Sequence, residues 1–332
     1  MQIRQLQQAG IVGTGMAVPG HVLTNFELEK IVDTSDEWIR TRSGIKTRHI
    51  AGPDEFTSTF GSTAAIMALE QAGMAPEEVE LVMVATVTPD YLTPATASII
   101  QAQIGAVNAG ASDLGAGCTG FCYALTMATA AVESGRFGNV LVIGADLLSR
   151  ITNYADRNTC VLLGDGAGAV VVRPVKTGGI LSTYLRSDGK GAGNLLIPAG
   201  GTRKPVDQVV INLGENKLRM NGNEIYKFAV RALVESVKTL VDGASLEIGD
   251  IDWLDPHQAN IRIIQAAAKE LGIPLDRILV NLDEYGNTSS ASIPMALHEA
   301  VMDGRIKKGD KVCMVGFGAG STWGGLLMEW AY

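Results

Sequence analysis

Cys118 lies in the segment Asp113-Leu-Gly-Ala-Gly-Cys118-Thr-Gly-Phe-Cys-Tyr-Ala, where glycines separate an apolar strand pattern from a long helical run. A thiol at the start of a helix faces unpaired N–H groups and the positive end of the helix dipole, so we expect a lowered pKa and a reactive thiolate. The glycines let a second backbone, or a bound thioester, approach closely. The alternative is a small buried apolar residue. The pattern favours cysteine-based acyl transfer, a hypothesis that requires partner residues.

Four histidines are available as partners. His257 follows Pro256 directly after an apolar strand pattern and precedes a helix, so we expect it at the carboxyl end of a strand. There it can donate an N–H to developing negative charge, or it can be a satisfied core residue. His21 and His49 fall in polar segments that read as loops, and His298 falls on the predicted exposed side of a helix. We expect those three to be solvated.

Asn287 offers a second partner, in the segment Gly286-Asn287-Thr-Ser-Ser before a helical run. One interpretation is a helix N-cap, because a side-chain amide oxygen accepts hydrogen bonds from free backbone N–H groups. The other is an amide donor for an oxyanion.

The chain repeats itself, and the repeat brings these residues together. Residues 75–86 read as helix end, turn and buried strand, and residues 246–257 repeat that order. Ser134 follows Cys118 at the same interval at which Asp303 follows Asn287, and an apolar strand comes next in both cases. Two α/β halves with mainly parallel sheets, covered by helices and related by a pseudo-twofold axis, are expected.

In such a pair, the helix N-termini bearing Cys118 and Asn287 converge where the halves meet, beyond the carboxyl ends of the strands. We place the boundary at 175, with an N-terminal half at 1–175 that carries the cysteine. The C-terminal half, 176–332, carries the histidine and the asparagine. Residues 184–220 are rich in glycine and polar residues and are expected to form an irregular segment that covers the site.

Composition limits the function classes. The 332 residues are 46% hydrophobic and 19% charged, which is typical of a globular protein of about two domain-sized units. The net charge of −8 argues against broad binding to nucleic acid or anionic membranes. The start Met1-Gln2-Ile3-Arg4 has no leader pattern, and no stretch reaches the roughly 18 apolar residues of a membrane span. The four cysteines lack metal-ligand spacing, so we expect a cytoplasmic protein with free thiols and no metal.

Taken together, the motifs resemble the β-ketoacyl-[acyl carrier protein] synthase III family of the thiolase-like fold, over essentially the whole chain. The segments that carry the resemblance are Val32-Asp-Thr-Ser-Asp-Glu-Trp-Ile39, Thr41-Arg-Ser-Gly-Ile45, the Cys118 turn, Leu163-Gly-Asp-Gly-Ala-Gly168, Pro256-His-Gln-Ala-Asn260, Gly286-Asn-Thr-Ser289 and Gly316-Phe-Gly-Ala-Gly-Ser-Thr-Trp-Gly324. The chain departs from relatives at Ala319, where many have glycine, and at Ser321, where several have an apolar residue. Neither change removes a backbone amide.

The resemblance implies a five-layered αβαβα sandwich, a homodimer and a catalytic triad of Cys118, His257 and Asn287. It also implies an oxyanion hole formed by the amides of Cys118 and Ala319. No cofactor is implied, because acyl-CoA is a substrate.

Binding of coenzyme A is implied for Trp38, on what reads as an exposed turn, together with Arg42, Arg157 and Asn260. The matching tryptophan and the second of these arginines sandwich the adenine in the family. The alternative is that they are ordinary surface residues.

The family also docks an acidic carrier protein, to which the malonyl group is attached. Arg262, on the helix after Asn260, is the first candidate for this docking, and Lys227 and Arg231 on the helix predicted over residues 223–241 are the second. The alternative for both is a solvated helix face.

The acyl pocket is expected to involve Thr93, Leu92, Phe121 and Phe317. Thr93 matches a position that is phenylalanine in relatives restricted to acetyl, where it closes the pocket of the other subunit. Threonine leaves room for longer starters, unless Leu92, Phe121 or another side chain fills the space.

The implied function is the initiation of fatty acid synthesis. An acyl-CoA starter acylates Cys118, and decarboxylative condensation with malonyl-carrier protein follows. The alternatives are a related enzyme of secondary metabolism that makes quinolones, esters or polyketide starters, and a non-catalytic carrier-binding protein. A degradative thiolase is disfavoured, since Cys313 lies on the strand before the C-terminal glycine loop rather than in it.

Overall fold

Two sheets carry the fold, and the computed structural model describes them within residues 7–332. The segment Met1-Gln2-Ile3-Arg4 lies outside the described residues. The strands are Gln8–Ala17 (β1), His21–Thr24 (β2), Thr47–Ile50 (β3), Leu81–Ala85 (β4), Gly110–Leu114 (β5), Val140–Leu147 (β6), Asp165–Val175 (β7), Gly179–Ser187 (β8), Leu195–Leu196 (β9), Arg219–Met220 (β10), Trp253–Pro256 (β11), Lys311–Gly318 (β12) and Thr322–Glu329 (β13). The helices are Asn25–Leu28 (α1), Asp36–Ser43 (α2), Thr57–Ala72 (α3), Thr96–Ile104 (α4), Gly120–Glu133 (α5), Arg157–Cys160 (α6), Gln208–Asn212 (α7), Gly222–Gly243 (α8), Ile261–Leu271 (α9), Leu282–Tyr285 (α10) and Ser292–Met302 (α11).

Strand order repeats between the sheets. The first sheet runs β1-β7-β6-β4-β5 and the second runs β8-β13-β12-β11. The first strand of each half therefore lies at one sheet edge, and the last strand of that half lies beside it. A parallel bridge between Leu254 and Ile278 extends the second sheet where β5 extends the first. β7 ends at Val175 and β8 begins at Gly179 in the other sheet. The division at 175 stays a prediction.

The sheets are mixed, and the expectation of mainly parallel sheets was wrong. β4 pairs in parallel with β5 and β6, and β11 pairs in parallel with β12. The other neighbours in both sheets are antiparallel. A parallel pair needs a crossover connection, whereas β12 and β13 are joined by a turn of only three residues, which permits only an antiparallel hairpin.

Five layers result, which confirms the αβαβα sandwich. α3 and α4 cover the outer face of the first sheet, and α8 and α9 cover the outer face of the second. α5 and α11 lie between the sheets and pack against both. Because these helices bury most of their surface between two sheets, α5 is apolar nearly all round, and its exposed positions include Met127. By contrast, α8 keeps a charged face toward water.

The histidine environments agree with expectation only in part. His21 is exposed, as expected, but it lies with the half-buried His49 in a small antiparallel two-stranded sheet of β2 and β3 rather than in a loop, and the His49 ring stacks on Tyr285. His298 is buried, with Nδ1 2.9 Å from the Thr14 hydroxyl, and burial lowers its pKa. Its helix, α11, is in the central layer, so the predicted exposed side faces a sheet instead.

The predicted covering segment begins later than expected. β8 continues to Ser187 in the second sheet, so the irregular stretch starts at residue 188 rather than 184. From there to α8 the chain forms short elements, including the β9–β10 pair. Within residues 7–332 no helix combines the length and apolar character needed to cross a bilayer.

Candidate active site

A cavity of about 1000 Å³ lies between the two halves, and Cys118, His257 and Asn287 all line it. The structure therefore brings together the three residues that the sequence singled out. Much of the remaining lining is apolar and comes from the covering segment, from α8 and from β12: Leu195, Ile197, Leu218, Ile225, Phe228 and Phe317. Such a lining suits an apolar chain and the arm of a thioester substrate.

Cys118 occupies a 3₁₀ turn, Gly117–Thr119, that leads directly into α5. Gly117 has φ +57°, a left-handed conformation that favours glycine. The position at a helix start is as predicted, and the side chain keeps partial access through the cavity.

The predicted lowering of the Cys118 pKa was wrong. Burial raises the pKa of this thiol to about 11, and the Asp146 carboxylate acts in the same direction. The nearby Ser289 hydroxyl, which completes no hydrogen bond of normal geometry, opposes the rise but does not cancel it. Although the cavity reaches the sulfur, surrounding protein atoms exclude most water, and the loss of solvation disfavours the charged thiolate.

Two backbone amides meet beside the thiol. A Cβ atom on Gly318 would lie 2.5 Å from the Cys118 nitrogen, and a Cβ on Gly117 would lie 2.7 Å from the Ala319 nitrogen. Both positions must therefore be glycine for the two loops to touch. The Thr322 hydroxyl lies 2.9 Å from the Ala116 carbonyl, to which it donates, and so ties the loops together. The amides of Cys118 and Ala319 therefore belong to two loops that touch beside the thiol, and the oxyanion hole formed by their N–H groups stays a prediction.

His257 is held at two points. Its backbone N–H donates to the Val315 carbonyl at 2.8 Å, and ring Nδ1 lies 2.7 Å from the Ser292 hydroxyl. The Phe317 ring packs edge-on against the imidazole, with centroids 5.1 Å apart. Burial lowers the His257 pKa to about 3, so the ring is neutral at physiological pH. If the Ser292 O–H donates to Nδ1, the ring carries its proton on Nε2.

Asn287 is fixed by its backbone and by its side chain. Its N–H donates to the Leu162 carbonyl at 2.8 Å, and its carbonyl accepts from the Gly164 N–H at 2.9 Å. The side-chain Oδ1 accepts from the Ser289 N–H at 2.9 Å. With the oxygen used in this way, Nδ2 is left as the donor toward the cavity. The helix N-cap interpretation of Asn287 was wrong: its oxygen bonds within the turn before α11, and Ala291 is the N-cap residue of that helix. The interpretation as an oxyanion donor stays a prediction.

The predicted coenzyme A residues cluster at one end of the cavity. Trp38, Arg42 and Asn260 line it, and the Arg157 guanidinium lies 5.0 Å from the centroid of the Trp38 ring. Trp38 is in α2 rather than on a turn, because Ser35 caps a helix there by accepting from the Trp38 N–H. Asn260 caps α9 through its bond to the Arg262 N–H.

The predicted docking residues are exposed on α8 and α9. Lys227 forms an ion pair with Glu224 at 2.9 Å. Arg231 lines a shallow groove of about 640 Å³ that also contains Glu235 and Glu270. Charge on this face is therefore mixed, while Arg262 lies in the first turn of α9, next to cavity-lining Asn260.

Of the predicted acyl-pocket residues, Phe317 lines the cavity. Phe121 does not: its ring is fully buried in the central layer, because α5 turns that face toward the sheets. Leu92 is 92% exposed, and Thr93 is exposed beside it, so neither lines the cavity of its own chain. Sequence reasoning missed Ser289 and Ser292, although their spacing after Asn287 on one turn was a usable signal.

Comparisons with known proteins agree with this geometry. The family model of 3-oxoacyl-[acyl-carrier-protein] synthase III matches residues 112–189, and the C-terminal model of that family matches residues 241–330. A β-ketoacyl-[acyl-carrier-protein] synthase III from Symbiobacterium thermophilum is 51% identical over 327 residues, which cover 98% of this chain and 99% of that protein.

Solved structures show the same likeness. The synthase III from Aquifex aeolicus superposes with a TM-score of 0.90 at 44% identity, covering 97% of this chain and 100% of the other. The priming β-ketosynthase of the R1128 polyketide pathway superposes with a TM-score of 0.92 at 37% identity, covering 100% and 99%. The fold and the cysteine at its joint define a thiolase-like condensing acyltransferase. Within that class, the chain belongs to the 3-oxoacyl-[acyl-carrier-protein] synthase III family.

Proposed function

We propose that this enzyme initiates fatty acid synthesis in two half-reactions at Cys118. In the first, the sulfur attacks the carbonyl of an acyl-CoA, and coenzyme A leaves as its thiol. In the second, a malonyl-carrier thioester loses carbon dioxide, and the resulting enolate attacks the acyl-cysteine. The products are β-ketoacyl-carrier protein and the free Cys118 thiol. The observation that carries the proposal is the convergence of Cys118 with two neutral donors, His257 and Asn287, in one apolar cavity.

Neutral donors suit the decarboxylation step. As carbon dioxide leaves, negative charge moves to the thioester oxygen, and a donor must stabilise that oxygen without protonating the carbon. His257 is neutral because burial lowers its pKa to about 3, and the Asn287 amide is too weak an acid to transfer a proton to the carbanion. A lysine in either place could quench the carbanion. Electrostatic stabilisation by fixed donors of this type is typically the largest contribution to such a step.

Acylation requires the Cys118 proton to leave, since the raised pKa keeps the thiol protonated in the free enzyme. The charge then develops on the carbonyl oxygen of the substrate, where the amides of Cys118 and Ala319 can both donate. Loss of one donor of this kind costs about 3 kcal/mol in other enzymes. The departing coenzyme A sulfur takes up a proton, so no cofactor is needed.

The remaining assignments follow from location. Trp38, Arg42, Arg157 and Asn260 bind coenzyme A, and Arg262, with Lys227 and Arg231 beyond it, docks the acidic carrier. The enzyme acts as a cytoplasmic homodimer: β5 leaves one edge of the first sheet unpaired, and the exposed Leu92 lies in the loop before α4. Free thiols suit a reducing compartment.

Incubation with acetyl-CoA and malonyl-carrier protein tests the proposal directly. Intact mass should show acyl-Cys118 with acyl-CoA alone, and β-ketoacyl-carrier protein once the malonyl substrate is added. An acylated enzyme that never releases a β-ketoacyl product would contradict the condensation and favour a transferase that makes esters.

The second candidate is a relative from secondary metabolism that makes polyketide or quinolone starters or esters. It is favoured by the similarity to the R1128 priming enzyme at 37% identity. A non-catalytic carrier-binding protein is disfavoured, because all three of Cys118, His257 and Asn287 are present and adjoin one cavity. A degradative thiolase is disfavoured because Cys313 is buried on β12, outside the cavity lining. The first two candidates are separated by comparing product yields with malonyl groups attached to several different carrier proteins.

The starter specificity depends on Thr93. This residue is exposed in its own chain, which suits a side chain that reaches the pocket of a second subunit. Each methylene buried in a pocket contributes about 0.8 kcal/mol, so the enzyme should accept straight or branched four- to six-carbon acyl-CoA at least as well as acetyl-CoA. The Thr93→Phe variant should lose the longer starters and keep acetyl. Strict acetyl selectivity in the unaltered enzyme would contradict this assignment.

A further inference from the structure

Arg48 is a fully buried cation that forms no ion pair within residues 7–332. Its guanidinium donates only to neutral acceptors, and Nε has no acceptor at all. Burial lowers the pKa of this group to about 10. A buried charge without an acidic partner is costly, and a methionine would fill similar space without that cost. The position of Arg48 therefore requires a reason beyond packing.

The shortest hydrogen bond of the guanidinium ends on the segment that pairs with Asn287. Nη2 donates to the Val161 carbonyl at 2.7 Å. The next residue, Leu162, accepts the Asn287 N–H, and Gly164 donates to the Asn287 carbonyl. Arg48 thus holds one end of a short strand-like segment whose other end forms a parallel bridge with Asn287.

The aliphatic stem of Arg48 supports the same bridge from the side. A Cβ atom on Gly164 would lie 3.1 Å from the Arg48 Cβ, and one on Gly286 would lie 3.3 Å from it. The two glycines immediately precede or pair with Asn287, and Gly286 has φ +68°. The guanidinium of Arg48 therefore bonds one end of the segment that pairs with Asn287, and its stem lies against Gly286 and Gly164.

We propose that Arg48 is a positioning residue that fixes Asn287 through the segment 161–164. The proposal rests on the function proposed above, in which Asn287 acts in decarboxylation. Cys118 is held by other contacts, through Gly318 and Thr322, and none of these involves Arg48. Loss of Arg48 should consequently impair the second half-reaction and leave acylation intact.

A second branch from Arg48 provides a matched control. Nη1 donates to Asn25 Oδ1 at 2.8 Å, and Asn25 Nδ2 donates in turn to Asp36 at 2.9 Å, at the start of α2. This branch leads to the helix that carries Trp38 and not to Asn287. Asn25→Ala should therefore raise the KM for acyl-CoA and leave the rate of decarboxylation close to that of the unaltered enzyme.

The test compares Arg48→Met, Arg48→Lys, Asn25→Ala and Asn287→Ala with the double variant Arg48→Met/Asn287→Ala. Acylation is followed by intact mass with acyl-CoA, and decarboxylation by carbon dioxide release from malonyl-carrier protein. Arg48→Met should slow decarboxylation about 10- to 100-fold, the effect of a catalytic group misplaced by about 1 Å, with the acylation rate at saturating acyl-CoA within about twofold. Because Arg48→Met also breaks the bond to Asn25, its KM for acyl-CoA should rise as it does in Asn25→Ala. Arg48→Lys keeps the charge and should fall between, and it replaces the methionine variant if that fails to fold.

The double variant separates positioning from general damage. If Arg48 acts through Asn287, adding Arg48→Met to Asn287→Ala should reduce decarboxylation no further, since the group being positioned is already absent. Additive losses, or equal losses in both half-reactions, would overturn the proposal for Arg48. Failure of Asn287→Ala itself to spare acylation would instead contradict the proposed function, and the two failures are thereby distinguished.

Discussion

The two halves hold their contributions to the site in different ways. On the side of the N-terminal half, Cys118 lies in a 3₁₀ turn with partial access, and the Ser289 hydroxyl lies near its sulfur. On the other side, His257 and Asn287 are each fixed by backbone and side-chain hydrogen bonds. A nucleophile must exchange partners during turnover, whereas donors act best when their direction is set before charge develops.

The two sides share one electrostatic property. Burial raises the pKa of the thiol to about 11 and lowers the pKa of the imidazole to about 3, so both groups are neutral in the free enzyme at physiological pH. At these two groups, charge develops only as substrates react. In a site of low dielectric, donors act more strongly on such a charge than they would in water. The comparison predicts that changes on the thiol side affect acylation and that changes on the donor side affect condensation.

The largest effect is expected from Cys118→Ser. A serine hydroxyl is a far weaker acid and nucleophile than a thiol, so acylation should fall by roughly a thousandfold or more. Intact mass after incubation with acyl-CoA measures this loss. Cys122→Ala, one helical turn farther along, is the matched control and should acylate normally. Acyl transfer that survives in Cys118→Ser would mean that another residue is the nucleophile.

Alkylation with iodoacetamide sharpens the account of the thiol. With a pKa of about 11, the thiolate fraction of Cys118 and the labelling rate should rise about tenfold per pH unit from pH 7 to 9. Peptide mapping should find Cys118 modified before Cys122, Cys160 and Cys313, which are fully or nearly fully buried. A rate that is constant across this range would indicate a thiolate already formed and would restore the helix-terminus prediction.

Asp255, two residues before His257, offers a stability test of the donor side. It is fully buried, neither carboxylate oxygen has a hydrogen-bond partner, and burial raises its pKa well above the ordinary value. Asp255→Val should stabilise the protein by about 1–3 kcal/mol, because an unsatisfied buried polar group is removed. Urea unfolding at pH 5 and pH 8 measures the gain.

The sign of the pH dependence follows from linkage. Unfolded Asp255 ionises above a pKa of about 3.9, while the folded carboxyl keeps its proton, so the unaltered enzyme loses stability as pH rises from there through the folded pKa. The advantage of Asp255→Val should therefore be larger at pH 8 than at pH 5. Asp255→Asn, which cannot titrate, should also remove this slope. Equal gains at both pH values would argue that the folded carboxyl is ionised.

The smallest effect is expected at the mouth of the cavity. Arg262→Glu should raise the apparent KM for malonyl-carrier protein roughly fivefold at low salt and leave that for acyl-CoA nearly unchanged, because only the carrier presents an acidic surface. The difference should shrink above 0.1 M salt, where the Debye length is about 10 Å. Arg157→Glu is the counterpart on the other half and should act on acyl-CoA instead. Equal KM changes for both substrates would remove Arg262 from the docking surface.

Several features of this protein follow from the sequence alone. The equal intervals after Cys118 and Asn287, the apolar central helices and the glycine-rich loops determine two similar α/β halves and a site at their joint. These are local or periodic signals, and the same patterns recur in both halves. They were sufficient to select Cys118, His257 and Asn287, which all line the cavity.

Other features depend on contacts that are distant in sequence. β13 pairs antiparallel with β12 because a three-residue turn joins them, whereas β7 pairs antiparallel with β6 across the longer connection 148–164. Strand composition does not show either direction, so the sequence did not predict mixed sheets. The burial of the His298 side chain depends on the position of α11 in the central layer. The pKa of Cys118 depends on how completely protein atoms surround the sulfur, and burial is the largest cause of its rise. Solvation is a property of the assembled fold, and only the tertiary structure sets it.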